Sequence, residues 1–448
     1  MIAALRHHLS DYGMVLVLLL LCAFFSVVTW SEQHPTGDAA AQQLAREIVR
    51  QHGAGARVLI AVRSQPEELA FASALQAQIA SAGGVVVEVV KGEPKDARRA
   101  LQRLASGGRV HAIAATQATA GWLVFSDLAT DFPNLGAPQI VTARSYSWPN
   151  FLKTENLLNI ANQIAVIAII AVGMTMVIIA AGIDLSVGSL IAFSAVLAAL
   201  LIRDYAGGIE AGGPGMILCC LAAILACGFI GAFSGTMITF FGIPPFIATL
   251  GMMLVANGLA YILAKGQSVY QLPDSFVWLG RGTGSFGLPN AVILMLVLYA
   301  VAHILMSRMK LGRYLYAVGG NREAARLSGV PVLGVLLFAY TVSGLLAGLG
   351  GVVMASQLKS GSPTYGQMYE LYVIAAVVVG GTSLSGGEGR MFGTLIGAFI
   401  IAVIQNGMNL TNVESYTQKV VLGLVILVAV LLDRLKHRGW RRAPGGGS

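Results

Sequence analysis

The sequence predicts an α-helical polytopic membrane protein of about ten transmembrane helices in two inverted halves, with an inserted extracytoplasmic α/β domain. Three observations carry this. Hydrophobic residues fill 56% of the 448 positions and charged residues only 11%, with a mean hydropathy of +0.73; soluble chains hold ~45–50% apolar and ~25% charged residues. Apolar runs close to the ~20 residues that a span requires recur along the chain. Between the first two of these runs charge returns, and strand-like runs alternate with helical ones.

The first apolar run, Gly13 to Trp30, follows Arg6, His7 and His8. The positive-inside rule therefore places the N-terminus in the cytoplasm. No small-x-small cleavage site follows the run, so it reads as an uncleaved span. Residues 31–150 read as the inserted domain. ARVLIAVRS (56–64), VVVEVV (85–90), VHAIAAT (110–116) and PQIVTAR (138–144) read as strands. Pro66 to Ala82, Pro94 to Ser106 and residues 120–130 read as helices between them, the first with proline and acids in its opening turn. Such alternation implies a parallel sheet with right-handed crossovers. Following a span that leaves the cytoplasm, the domain lies on the outer, periplasmic side.

The remaining apolar runs lie near 156–181, 187–202, 215–241, 246–264, 288–307, 332–356, 370–381, 391–411 and 418–433. With the first they make ten, an even number, so both termini share a side. The tail after 433 carries Arg434, Lys436, Arg438, Arg441 and Arg442, which fits the cytoplasm. Lys265, Lys359 and Lys419 fall singly on the outer side and do not outweigh these clusters. The chain thus divides into 1–30 (cytoplasmic N-terminus and first span), 31–150, a membrane core at 151–433 and a basic tail at 434–448. All four cysteines (Cys22, Cys219, Cys220 and Cys227) lie in apolar runs, so no disulfide framework is expected. The net charge of +8 sits at membrane edges. No basic stripe with interleaved aromatics marks a nucleic-acid partner.

Several segments break the apolar pattern. In AAGIDLSVGSL (180–190), Gly182 and Gly188 flank Asp184, Ser186 and Ser189. A carboxylate and hydroxyls at membrane depth must line a cavity or bond to protein, and bracketing glycines fit a broken helix; a turn with Asp184 as an N-cap fits as well. QLKSGSPTYGQMYELYVIAA (357–376) is a comparable break in the second half, with Ser360, Ser362, Thr364 and Glu370 around Gly361, Pro363 and Gly366. One break follows an inward-running span and the other an outward-running one, as inverted halves require. The glycine-rich stretch 377–397, with Thr382 and Ser383, resembles a phosphate cradle but lacks the GxxxxGK[ST] pattern, which no segment supplies. Asn257, Gln405, Asn406 and Asn409 sit inside apolar runs, where amides bond across helices or line a pathway. No Ser/His/Asp constellation or metal-ligand cluster appears, so no catalytic role and no bound cofactor or metal is expected.

RMKLGRYLYAVGGNREAARLSGV (308–330) is a charged island between two apolar runs. Its arginines set it in the cytoplasm. Good helix formers from Asn321 to Leu327, then Gly329 and Pro331, give a short capped helix suited to docking a soluble partner; a solvated loop that only sets topology is the plainer reading.

VGMTMVIIAAGIDLSVGSL (172–190), PFIATLGMM (245–253), LGRYLYAVGGNREAARLSGV (311–330), YELYVIAAVVVGGTSLSGGEGR (369–390) and GTLIGAFIIAVIQNGMNL (393–410) closely resemble the permease subunit of carbohydrate-type ABC importers, a family that includes ribose, xylose and galactoside transport permeases. The resemblance covers about 310 residues. It implies a permease dimer, here a homodimer, in the bacterial inner membrane, two cytoplasmic ATPase subunits that use ATP and Mg, and an extracytoplasmic solute-binding protein. It also implies that Gly320, Asn321, Glu323, Ala325, Arg326 and Gly329 form the coupling loop that enters the ATPase. The expected substrate pathway is Asp184, Ser186, Ser189, Asn257, Glu370, Thr382, Ser383, Asn406 and Asn409. The insert departs from the family pattern; its alternation looks like one lobe of a periplasmic sugar-binding protein. A transmembrane sensor, with the outer domain binding a ligand and signalling inward, is the second reading.

Overall fold

The computed structural model describes residues 2–284 and 287–440, with side chains at 13–284 and 287–431. The side chains of Arg6, His7, His8, Arg434, Lys436 and Arg438, and residues Arg441 and Arg442 altogether, lie outside the described set. The chain forms two units, one of residues 1–29 and 150–448 and the other Trp30–Pro149.

Helix α1, Ile2–Val28, opens the first unit. The second unit begins with β1, Trp30–Gln33, which pairs antiparallel with its last strand, β6, Tyr146–Pro149. Between them run α2 (Asp38–His52), β2 (Arg57–Val62), α3 (Pro66–Ser81), β3 (Val85–Lys91), α4 (Pro94–Leu104), β4 (Ala112–Ala115) and β5 (Gln139–Thr142). The four strands β2 to β5 form a parallel sheet ordered β3-β2-β4-β5. Ala41, Leu44 and Ile48 of α2 cover one face together with Phe71, Leu75 and Ile79 of α3. Ala97 and Leu101 of α4 cover the other with Phe125, Leu128 and Leu135.

Two details differ from the sequence reading. The helix expected over 120–130 is instead α5 (Gln117–Ala120), a 3-10 turn at Leu123–Phe125 and α6 (Leu128–Asp131); Gly121 caps the first piece and extended Trp122 interrupts the hydrogen-bond ladder. Helix α2 and the β1–β6 pair were not expected. The buried Ala40, Ala41, Leu44, Ala45 and Ile48 follow helical spacing.

The first unit continues with α7 (Thr154–Ile179), α8 (Val187–Tyr205), α9 (Gly213–Phe240), α10 (Pro245–Ala264), a short α11 (Trp278–Arg281) and α12 (Asn290–Arg308). Then come α13 (Lys310–Gly320), α14 (Arg322–Leu327), α15 (Val332–Leu358), α16 (Tyr369–Val379), α17 (Met391–Leu410) and α18 (Ser415–Trp440). Among the described residues seven helices (α7, α8, α9, α10, α12, α15 and α17) are long and apolar enough to cross a membrane. Three shorter apolar stretches, Gly13–Val28, Tyr369–Val379 and Ser415–Leu431, fall below that length. Helix α15 packs on α7, α8 and α9. Gly231 of α9 meets Gly344 of α15 backbone to backbone, the close approach that small residues allow when lipid offers no hydrophobic drive. The apolar stretch of α7 is 89% buried and that of α10 only 17%.

Candidate substrate cavity and coupling surface

Two non-helical segments lie inside the helical unit, and each is anchored by polar groups. The first, 180–186, joins α7 to α8. Asp184 is fully buried. Its Oδ1 accepts from the Ser186 amide at 3.0 Å and the Ser186 hydroxyl at 2.6 Å, and its Oδ2 accepts from the Ser343 hydroxyl of α15 at 2.7 Å. Thr249 of α10 donates to the Ile183 carbonyl at 3.3 Å. Backbone freed from a helix at this depth must be satisfied by protein, and these bonds do so. Asp184 and Ser186 therefore tie the break to α15 and do not face a cavity.

The second segment, 359–368, leaves the end of α15 and runs back along α8. Val269 and Gly361 form a backbone bridge, the Ser360 and Tyr365 hydroxyls pair, and those of Ser362 and Thr364 pair at 2.9 Å. Gly366 has φ +70°, and a Cβ there would overlap the Gly188 carbonyl; a Cβ on Gly188 would in turn overlap the Glu370 carboxylate. The two breaks thus meet glycine to glycine, where no side chain fits. This return leaves α16 only 11 residues, about 16 Å of helix.

A cavity of about 290 Å³ opens where they meet, lined by Ser189, Asn257, Tyr365, Gln367, Met368 and Glu370 among others. The side chains of Ser189, Asn257, Gln367 and Glu370 make no hydrogen bond to another described residue. No Lys or Arg lines the cavity. It presents neutral donors and acceptors with one carboxyl group.

The structure brings Ser189, Asn257 and Glu370 together and sets the other expected pathway residues elsewhere. Thr382 and Ser383 are buried in the turn after α16, where Ser383 accepts from the Ser385 amide at 3.3 Å. Asn406 exchanges two amide bonds with Asn156 of α7, at 3.0 and 2.8 Å. Asn409 accepts from Gln418 of α18 at 2.8 Å. Asn406 thus clamps two helices, the usual use of a buried amide in lipid, while the exposed Asn409 links α17 to α18 at the surface. Gln405 lines a second cavity of about 230 Å³ with Gln163, Gln357 and Tyr369.

On the coupling segment, Asn321 caps α14 by accepting from the Ala324 amide at 2.9 Å. Glu323 and Arg326 pair at 2.6 Å on its exposed face. Ala325 is buried beneath, and Leu327 is 77% exposed. Gly329 at φ +82° closes the helix, with Val330 N–H on the Ala325 carbonyl, the left-handed cap that glycine supplies. Gly320 is exposed at the base. There the Gly387 amide donates to the Ile179 carbonyl at 2.8 Å and the Tyr316 hydroxyl to the Gly389 carbonyl at 2.8 Å. A Cβ on Gly319 would overlap the Ile179 carbonyl. The glycine-rich stretch at 386–389 is thus a brace between α7 and α13.

A family model described as branched-chain amino acid transport system / permease component matches residues 156–430. The chain belongs to this permease family. Among its relatives, the ribose import permease protein RbsC of Escherichia coli (strain K12) is 45% identical over 294 residues, 64% of this chain and 88% of the relative. RbsC of Bacillus subtilis (strain 168) is 42% identical over 305 residues, 68% of this chain and 92% of the relative. The D-allose transport system permease protein AlsC of Escherichia coli (strain K12) is 38% identical over 285 residues, 64% and 85% respectively. No solved structure matches. The resemblance to carbohydrate-type ABC importer permeases therefore holds across the membrane core, and the chain is a transport subunit of a multi-pass inner-membrane system. The model match leaves residues 30–149 outside.

Sequence reading of the permease missed Gln367 and Tyr365 as cavity residues. Both lie in a segment singled out for its hydroxyls, and Gln367 follows Gly366 directly. A polar side chain next to the glycine of a break was the available signal.

Proposed function

We propose that this chain is the membrane-spanning permease subunit of an ATP-binding-cassette importer that moves a sugar or similar small polar solute across the inner membrane, driven by a separate ATPase subunit. The observation that carries this is the cavity at the meeting of the two breaks, with Ser189, Asn257 and Gln367 free of protein partners. Side-chain amides and hydroxyls both donate and accept, which suits sugar hydroxyls. The family description mentions amino acids, whose carboxylate asks for a cation or helix amides; a cavity with Glu370 and no Lys or Arg favours a neutral hydroxyl-bearing solute. The sugar permeases among the relatives support the same substrate class.

In this reading the seven long helices and the three shorter apolar stretches make ten spans in two inverted halves. Both termini and α14 face the cytoplasm, and the α/β unit is periplasmic. A second copy of the permease covers part of the open face of α10 and completes the path, while lipid covers the rest. ATP and Mg are used by the ATPase; an extracytoplasmic solute-binding protein delivers the solute. The permease performs no covalent chemistry.

The test is uptake of labelled D-ribose and D-allose by cells expressing the chain with its ATPase and its solute-binding protein. Asn257→Ala and Gln367→Ala each remove an unpartnered amide, so neither should alter folding. Each is expected to cut uptake about tenfold, the loss of one or two hydrogen bonds to solute. Wild-type uptake in both variants would remove the cavity from the pathway.

A further inference from the structure

The α/β unit carries a cavity of its own. In its sheet order β3-β2-β4-β5, the chain crosses from β2 over α3 to β3, then returns past β2 to β4. The crossover after β2 covers one face and the segment after β4 the other. The carboxyl ends of β2 and β4 therefore form a topological switch point, where open α/β sheets hold their ligands. A cavity of about 360 Å³ lies there, lined by His34, Thr36, Arg63, Glu68, Thr116 and Gln117 over the buried ring of Phe71.

The floor is built and its charge is balanced. Glu68 is 4% exposed. It accepts from the Arg63 amide at 2.7 Å, Arg63 Nε at 2.8 Å and the Thr116 hydroxyl at 3.4 Å, and it pairs with Arg63 Nη2 at 2.5 Å. The guanidinium is thus spent on the carboxylate, and no unpaired cation is left for an anion. His34, Thr36 and Gln117 line the same cavity and make no hydrogen bond among the described residues. Neutral polar groups around an apolar ring suit a molecule with one carbon-bearing face and several hydroxyls. The volume is at the small end of the ~300–1,000 Å³ of ligand pockets.

We infer that the α/β unit binds a neutral monosaccharide at the carboxyl ends of β2 and β4, separately from the membrane cavity. His34, Thr36 and Gln117 contact the hydroxyls, and the Arg63–Glu68 pair shapes the floor.

The full chain in lipid nanodiscs, without ATPase, is titrated with D-ribose and D-allose and with D-ribose 5-phosphate as the charged counterpart. Binding is read by saturation-transfer-difference NMR. A saturable signal from at least one neutral sugar is expected. The titrations are made in the Asn257→Ala background, which weakens the membrane cavity; there His34→Ala combined with Gln117→Ala should weaken the remaining signal about tenfold. In a second measurement, alkylation of an Ala118→Cys variant at the rim by a membrane-impermeant maleimide should slow when the sugar is added. This keeps the site testable if the double variant folds poorly. No signal in that background, a signal that survives the added double variant, a stronger response to the phosphorylated sugar, or alkylation indifferent to sugar would each overturn the site. Because ATPase and uptake play no part, failure here leaves the importer reading standing, and failure of uptake leaves this site standing.

Discussion

Asp184→Ala is expected to destabilise the membrane unit by about 3 kcal/mol or more, with loss of uptake following loss of folded protein. Asp184, Ser186 and Ser343 are all fully buried. Removing the carboxylate strands two hydroxyls and one amide that now donate to it, and each buried group left unpaired costs about 1–3 kcal/mol. Asp184→Asn should recover most of the stability. Its carbonyl oxygen can still accept from Ser186, and the Ser343 hydroxyl can turn to accept from the new amide. Thermal unfolding in detergent, followed by size-exclusion chromatography, checks this. A variant that melts like wild type yet fails to transport would return Asp184 to the pathway and remove it from the brace.

The pattern of breaks was legible in the sequence because polar residues and glycines at membrane depth are costly enough to stand out. Segments 180–190 and 357–376 were marked by Asp184, Glu370 and their flanking glycines, and the spans on either side follow from apolar runs. What each polar residue does was not legible, because its partner lies far along the chain. Asp184 meets Ser343, and Asn156 meets Asn406. Nothing local separates Asn257, which faces a cavity, from Asn406, which is already paired. Both are single amides in apolar helices; only tertiary packing decides. Thr382 and Ser383 misled for a related reason. Their glycine-rich surroundings allow a cradle, but the glycines serve the close approach of α13 to the end of α7. In the α/β unit, strand periodicity placed the sheet, while the carboxyl-edge cavity depends on a strand order that no single strand announces.

Glu323→Arg is expected to lower recovery of the ATPase with the permease by at least tenfold, roughly the penalty of a like charge set into a complementary interface. Helix α14 has six residues, too few to persist without caps and tertiary support. Asn321 supplies the cap, Glu323 sits near the positive end of the helix, and Ala325 anchors it from below. Outward stand Arg322, the Glu323–Arg326 pair and Leu327. An arginine at 323 would face Arg326 and the helix N-terminus, adding a third positive charge beside Arg322 and Arg326. Glu323→Gln separates the two effects: it keeps the helix and removes only the charge. Leu327→Asp, at a side chain that is 77% exposed, should weaken docking without touching the fold. The hydrogen bond and charge of Arg326 hold the Glu323 carboxyl below its usual range. A depressed carboxyl keeps its charge as pH falls and loses it only on passing the lowered value. Docking should therefore be flat from neutral to mildly acid pH. The measurement is purification of the tagged chain from native membranes in mild detergent, with the co-purifying P-loop ATPase identified by mass spectrometry and quantified across the variants. Wild-type recovery of that ATPase in Glu323→Arg and Leu327→Asp alike, with uptake intact, would show that the coupling surface lies elsewhere on the cytoplasmic face.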